Sequence, residues 1–331
     1  MDLSTQYLGF DLATPVIPGA SPMCRDLTTV KALEDAGAPM IVMHSVFQEQ
    51  LELEQAAVNE SLDLGLDSFP EASSYLPDPV EFKLGADEYL ELIGRLKKSV
   101  SIPVIASING RSEGWWVEYA RLIQQAGADG LELNIYNPVM DIHVSSFELE
   151  RETLDLVAQV RKSVKLPLAV KLLPGYTAFG NFARQLAEIG IDALVLFNRL
   201  FQPDFDIERL VLRREMVRSS SDELLPRLSA VAALAGEVDC DLAVSGGVHQ
   251  AEDVVKATMA GANAVQMVTA LMSYGPLHLE EIHDELASWL EAHQYESLSQ
   301  ARGILSLRKS QDRAAFERTS YMQILHSWER T

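Results

Sequence analysis

Gly130-Leu131-Glu132-Leu133-Asn134-Ile135-Tyr136-Asn137-Pro138-Val139 opens as a short apolar run, reaches an asparagine and then turns polar. The run reads as a strand buried on both faces, because its hydrophobicity is nearly continuous rather than alternating. The residues behind it form a loop, the kind of position where an enzyme built from strands and helices keeps a catalytic base.

The same pattern recurs along the chain. Short runs, rich in β-branched residues or bounded by Pro or Gly, lie at Pro15–Ala20, Met40–His44, Pro103–Ile108, Pro167–Leu172, Ala193–Asn198, Asp241–Gly247 and Ala264–Ala270. Segments of helical period separate most of them: Asp26–Ala36, Trp115–Ala126, Phe147–Val164, Phe179–Ile189, Leu225–Ala235, Ala251–Ala260 and Leu279–His293. Several helices end in Ala-Gly or Ile-Gly, at Gly37, Gly127, Gly190 and Gly261, where glycine suits a left-handed cap that returns the chain to the sheet. Eight strands with helical crossovers predict an α/β fold of the (β/α)8 TIM-barrel type. No GxGxxG fingerprint supports a doubly wound sheet instead.

A net charge of −21 argues against non-specific nucleic-acid binding, which needs a basic surface. Cys24 and Cys240 are the only cysteines, too few for a disulfide scaffold or a thiolate metal cluster. Residues Met1–Gln6 carry no basic, signal-like segment, and no apolar run reaches the roughly 18 to 20 residues of a membrane helix. The expectation is a cytoplasmic protein with a small-molecule substrate, no metal and no membrane.

The predicted strand ends carry few carboxylates: Ala20-Ser21, His44-Ser45, Asn109, Asn134, Lys171, Asn198, Ser245-Gly246-Gly247 and Val268-Thr269. That set suits recognition of a heterocycle better than metal-assisted hydrolysis, which needs clustered Asp, Glu or His. Ser245-Gly246-Gly247 follows strand seven, where glycines let backbone amides approach a phosphate; the plain alternative is a tight turn. Lys171 ends an apolar strand and must find a partner or water. It reads as a charge for a reduced flavin, a Schiff-base amine as in an aldolase, or half of an ion pair at the rim. Asn134 and Asn198 each offer an acceptor and two donors.

With these residues in this order, the sequence resembles the dihydroorotate dehydrogenase family of FMN-binding barrels from about Tyr7 to Ser306. The resemblance rests on Pro18-Gly19-Ala20-Ser21, Glu132-Leu133-Asn134, Leu168–Leu173 with Lys171, Asn198, Ser245-Gly246-Gly247-Val248 and Ala264–Leu271. It implies FMN as cofactor, with Ala20 and Ser21 beside the isoalloxazine. Lys171 would face flavin N1 and O2, and Gly246, Gly247, Val268 and Thr269 would hold the phosphate. Asn134 and Asn198 would face flavin or substrate, while His44 and Asn109 complete the candidate cofactor set. The implied activity is hydride transfer from a small substrate to flavin N5, as in pyrimidine biosynthesis.

The sequence departs from the family where the base belongs. Asn137 stands where the family keeps Cys, Ser or Thr, and Val139 replaces an orotate-binding Asn. Asp63–Pro70 lacks the family's Asn- and Gly-rich substrate loop, and His44 replaces a lysine. Tyr136, Ser145 and Ser146 are the remaining candidates for a base. A catalytically silent or partner-dependent flavoprotein is the second reading, and a phosphate-binding Schiff-base aldolase using Lys171 the third.

Two segments exceed a minimal barrel. Residues 46–81 hold nine acidic residues and no Lys or Arg, a long excursion suited to a lid or a contact with a protein electron acceptor or a second copy. From Arg302 onward six basic residues face three acidic ones, a tail expected to dock on its own barrel or a neighbouring subunit. The expected division is an FMN-binding barrel over 1–306 and a basic extension over 307–331.

Overall fold

The computed structural model describes residues 1–54, 84–311 and 318–327. Eight parallel strands make one sheet: β1 (Val16–Pro18), β2 (Ile41–Phe47), β3 (Val104–Asn109), β4 (Gly130–Asn134), β5 (Leu168–Leu172), β6 (Ala193–Leu196), β7 (Asp241–Ser245) and β8 (Ala264–Met267). Their order is β1-β8-β7-β6-β5-β4-β3-β2, and the two end strands touch, so the sheet wraps into a nearly closed barrel. Around it lie α1 (Leu27–Asp35), α2 (Leu84–Ser99), α3 (Glu113–Ala126), α4 (Ser146–Ser163), α5 (Phe179–Glu188), α6 (Leu225–Leu234), α7 (Ala251–Ala260) and α8 (His278–Ala292). This is the (β/α)8 barrel that the eight apolar runs predict.

The differences from the sequence reading are local. The run Ala264–Ala270 is a strand only to Met267 and continues as a short helix, Thr269–Tyr274; apolarity alone does not separate a strand from a buried helical turn. The reading has no helix at α2, although Tyr89, Leu92, Ile93 and Leu96 recur at helical spacing and are all buried. Residues 55–81 of the acidic excursion, with Asp63–Pro70, lie outside the described residues; 48–54 are helical. In the basic tail, the amides of Gly303, Leu305 and Leu307 bond to Thr258, Met259 and Ala232 on α7 and α6. Residues 312–317 and 328–331 are outside the described set. Among the described residues no helix is long and apolar enough to cross a membrane.

Two apolar layers hold the barrel together. The larger lies between sheet and helices and includes Ile41, Leu131, Leu133, Val170 and Leu194. The smaller fills the barrel itself, where Ile17, Met40, Val42 and Ile105 meet Ala169, Ala193, Ala243 and Ala264. Large residues on some strands face small ones on others, so the interior is packed rather than hollow. An N-terminal hairpin, Thr5–Tyr7 with Phe10–Leu12, joins this layer through Tyr7, Leu8 and Leu12.

A repeated polar device fixes the strand starts. The residue two places after a helix-ending glycine accepts an amide in the first two residues of the neighbouring strand. Asp129 takes Val104 N at 2.7 Å, Asp192 takes Leu168 N at 2.8 Å and Asn263 takes Leu242 N at 3.1 Å. Gly127, Gly190 and Gly261 precede them at φ 90°, 89° and 127°, a region glycine enters without strain. The full signature is Gly-x-Asp/Asn, of which the sequence reading used only the glycine.

Asp192 also pairs with Arg161 Nη1 at 3.0 Å. Asp192→Ala is expected to lower stability by about 1–3 kcal/mol, the cost of leaving a buried amide and a charged donor unanswered. Urea denaturation measures it, and an unchanged midpoint refutes the device.

Candidate functional site

The C-terminal ends of the strands carry a continuous polar chain. Glu132 on β4, with no solvent exposure, accepts Gln266 Nε2 at 2.6 Å and Ser107 Oγ at 3.3 Å. Lys171 on β5 donates to Gln266 Oε1 at 2.8 Å, and its Nζ is 3.8 Å from Glu132 Oε1. Ser107 Oγ meets Ser45 Oγ at 2.8 Å, Asn134 Nδ2 donates to Ser45 at 3.1 Å, and Asn198 Nδ2 donates to Asn134 Oδ1 at 2.6 Å. The chain therefore links β2, β3, β4, β5, β8 and the end of β6 across the barrel.

Above Lys171 opens a cavity of about 280 Å³, near the lower end of the volumes that hold small ligands. Ala20 and Ser21 line it from the end of β1, Lys171 from β5 and Asn198 from beyond β6. Ser245, Gly246 and Gly247 line it from β7, and Val268 and Thr269 from β8. The structure thus brings nine of the twelve candidate cofactor residues to one space. Asn134 adjoins it through its bond to Asn198.

The glycine turn has a shape that only glycine allows. Gly246 and Gly247 take φ 88° and 78°, and a Cβ on Gly247 would lie 2.5 Å from Leu224 N. Among the described residues no backbone carbonyl accepts from the amides of Gly246, Gly247 or Val248. Unpaired amides on a cavity wall are what an anion needs. Burial pushes the Lys171 amine below its usual range; Glu132 opposes that shift and the positive charge of Arg227 adds to it.

Comparison with known proteins gives this geometry a relationship. The family described as "Dihydroorotate dehydrogenase" matches residues 83–290. The chain belongs to the dihydroorotate dehydrogenase family. It is 30% identical over 280 residues to the "Dihydroorotate dehydrogenase B (NAD(+)), catalytic subunit" of Geobacter sp. (strain M21), covering 79% of this chain and 90% of that one. Proteins of the same description from Thermoplasma acidophilum and Methanocaldococcus jannaschii are 27% and 26% identical, over 92% and 87% of this chain and 98% and 94% of theirs. The chain is thus dihydroorotate dehydrogenase-like, in a family of oxidoreductases.

Several residues singled out in the sequence lie apart from this cavity. His44 is one of them. The β2–β3 register pairs Val42 with Ile105 and then Ser45 with Ser107, so β2 carries one extra residue at this point. Such a bulge changes which side chains face which way. Ser45 enters the polar chain, and His44 packs edge-on against Tyr89 of α2 with ring centroids 5.1 Å apart. Asn109 is buried, but with Tyr136 and Asn137 it lines a separate cleft over β3 and β4.

The candidate bases are committed elsewhere or lie apart. Asn137 is exposed. The Tyr136 hydroxyl accepts Phe201 N at 3.1 Å. Ser145 caps α4, its hydroxyl accepting Glu148 N at 3.2 Å and donating to the Glu148 carboxylate at 2.7 Å. Ser146 is exposed on the first turn of that helix. Among the described residues no group of three or more His, Cys, Asp or Glu could hold a metal ion.

Sequence reading missed Glu132 and Gln266 as members of the site. The signal was present: a polar side chain inside an otherwise apolar strand must be hydrogen-bonded by the rest of the fold.

Glu132→Gln is expected to cost about 3–5 kcal/mol, because it leaves the buried Lys171 ammonium without its counter-charge. Adding Lys171→Met should recover a large part of that loss. A double-mutant cycle read by chemical denaturation checks this, and additive losses would show that the two groups do not form a pair.

His44 provides a pH test. Burial lowers its pKa from 6.5 to about 4, so the neutral ring is the form the fold favours. Its contribution to stability is complete above the unfolded pKa and is lost as pH falls from about 6.5 toward 4. His44→Phe should flatten stability over that window; an unchanged slope would place the titration elsewhere.

Proposed function

We propose that the chain is an FMN-dependent oxidoreductase that oxidises a small substrate at a CH–CH bond. The observation that carries this reading is Lys171, a buried cation held by Glu132 and Gln266 in the wall of a cavity that the Gly246–Gly247 turn also lines. A flavin mononucleotide has the matching polarity, a phosphate at one end and a ring that gains negative charge on reduction at the other.

In this reading the amides of Gly246 and Gly247, with Val268 and Thr269, hold the phosphate. Ala20 and Ser21 border the ring, and Lys171 stabilises the charge that develops near its N1 and O2. Bound there, FMN supplies hydride acceptance at N5. Asn134 and Asn198, fixed to each other and to Ser45, present amides to ring or substrate. The ammonium of Lys171 is occupied by Gln266 and faces a carboxylate, which favours a charge-stabilising role over a Schiff-base amine.

The substrate's proton is the second half of the chemistry. Asn137 is a poor base and lies outside the cavity, and the Ser145 and Tyr136 hydroxyls are engaged. Dihydroorotate is therefore a slow substrate in this reading, by the factor of about 10² to 10⁴ that a general base contributes. A separate protein is the electron acceptor we propose, since relatives are named as catalytic subunits.

The test is anaerobic stopped-flow on purified protein. The expected results are bound FMN, slow bleaching by dihydroorotate, and a more negative flavin potential in Lys171→Met. Bleaching at an ordinary enzymatic rate would reject the slow-substrate reading. Protein that binds no flavin would reject the whole assignment.

A further inference from the structure

Arg227, on the first turn of α6, is a buried cation with an unusual set of partners. It is 6% exposed. Its Nε donates to the carbonyl of Ser245, Nη1 to that of Glu223 and Nη2 to that of Phe197. Among the described residues no carboxylate lies within ion-pair distance of it; the nearby Glu223 side chain is taken by Arg199 at 2.7 Å. A buried charge that meets only neutral carbonyls is incompletely compensated.

Its position shows where compensation can come from. A Cβ built on Gly246 would stand 2.8 Å from Nη2 and 3.1 Å from Cζ. The guanidinium therefore packs directly against Gly246, which itself lines the cavity. The charge is thus adjacent to the main chain of the glycine turn. By its three bonds the same side chain ties the end of β7 to the segments that follow β6 and precede α6. Asp253, which could oppose an anion here, is already satisfied by Ser221 Oγ, His249 N and Gln250 N.

We infer that Arg227 is a positioning residue for the phosphate of the bound cofactor, shaping the glycine turn and placing a positive charge directly behind it. This rests on the flavin reading of the same cavity. It adds to that reading a specific preference for a phosphorylated ligand, carried by a residue that does not touch the ligand. Charge behind the amides acts through a low-dielectric layer, where it is screened less than a surface cation.

The experiment compares FMN with riboflavin, which lacks the phosphate. Full-length protein freed of flavin is titrated with each, following the quenching of flavin fluorescence. Two variants separate charge from hydrogen bonding: Arg227→Lys keeps the charge with fewer donors, and Arg227→Gln keeps amide donors without charge. Thermal melts confirm that each variant is folded.

The wild type should prefer FMN. Arg227→Gln should weaken FMN about tenfold or more, equivalent to ~1.4 kcal/mol, and leave riboflavin unchanged. Arg227→Lys should keep most of the preference and most of its sensitivity to salt. The inference is overturned if Arg227→Gln retains the full preference, or if both variants lose FMN and riboflavin equally, the mark of a purely structural residue. If Arg227→Gln does not fold, loss of the preference in folded Arg227→Lys overturns it as well. A wild type that binds neither ligand removes the flavin reading and this inference together; one that prefers FMN while Arg227→Gln does too removes only the inference.

Discussion

Glu132 sets the terms for the upper half of this barrel. A carboxylate placed in the closed interior costs several kcal/mol in lost hydration, and no water-facing route relieves it. The fold answers with Gln266 from β8, Ser107 from β3 and the ammonium of Lys171 from β5. Those partners come from strands that are distant in sequence and meet only when the sheet curls round. The polar layer therefore marks barrel closure. Below it the interior is alanine, valine, isoleucine and methionine; above it begins the cavity.

Much of the fold was legible because each strand is buried on both faces and so appears as an unbroken apolar run. The runs at Gly130–Ile135 and Pro167–Leu172 coincide with β4 and β5 to within a residue at most edges. Legibility failed where apolarity had more than one structural meaning. Val268–Ala270 is as hydrophobic as the strand before it, yet the chain has already begun a helical turn. It also failed at α2, whose helical spacing of Tyr89, Leu92, Ile93 and Leu96 is clear yet went unassigned.

The site was legible at its rim and hidden at its base. Strand ends can be counted, so Lys171, Asn198 and the Ser245–Gly247 turn could be named from spacing. Glu132 and Gln266 sit inside strands, and their partnership spans 134 residues. No local pattern encodes such a pair; only the closed sheet makes them neighbours. Arg227 was hidden for a related reason, since a single arginine on an amphipathic helix reads as a solvated surface charge until the turn behind it is seen.

The extra residue in β2 separates position in the chain from position in the site. Before it, Val42 faces the barrel interior; after it, Ser45 does, and His44 belongs to the helical layer outside. Equivalence between this chain and a relative along β2 is therefore a question of which face a residue occupies. A one-residue insertion or deletion there would exchange the polar group that β2 offers to the Ser107–Asn134 chain. Strand two is thus a place in this barrel where a change of register, rather than of residue type, alters the chemistry beneath the site.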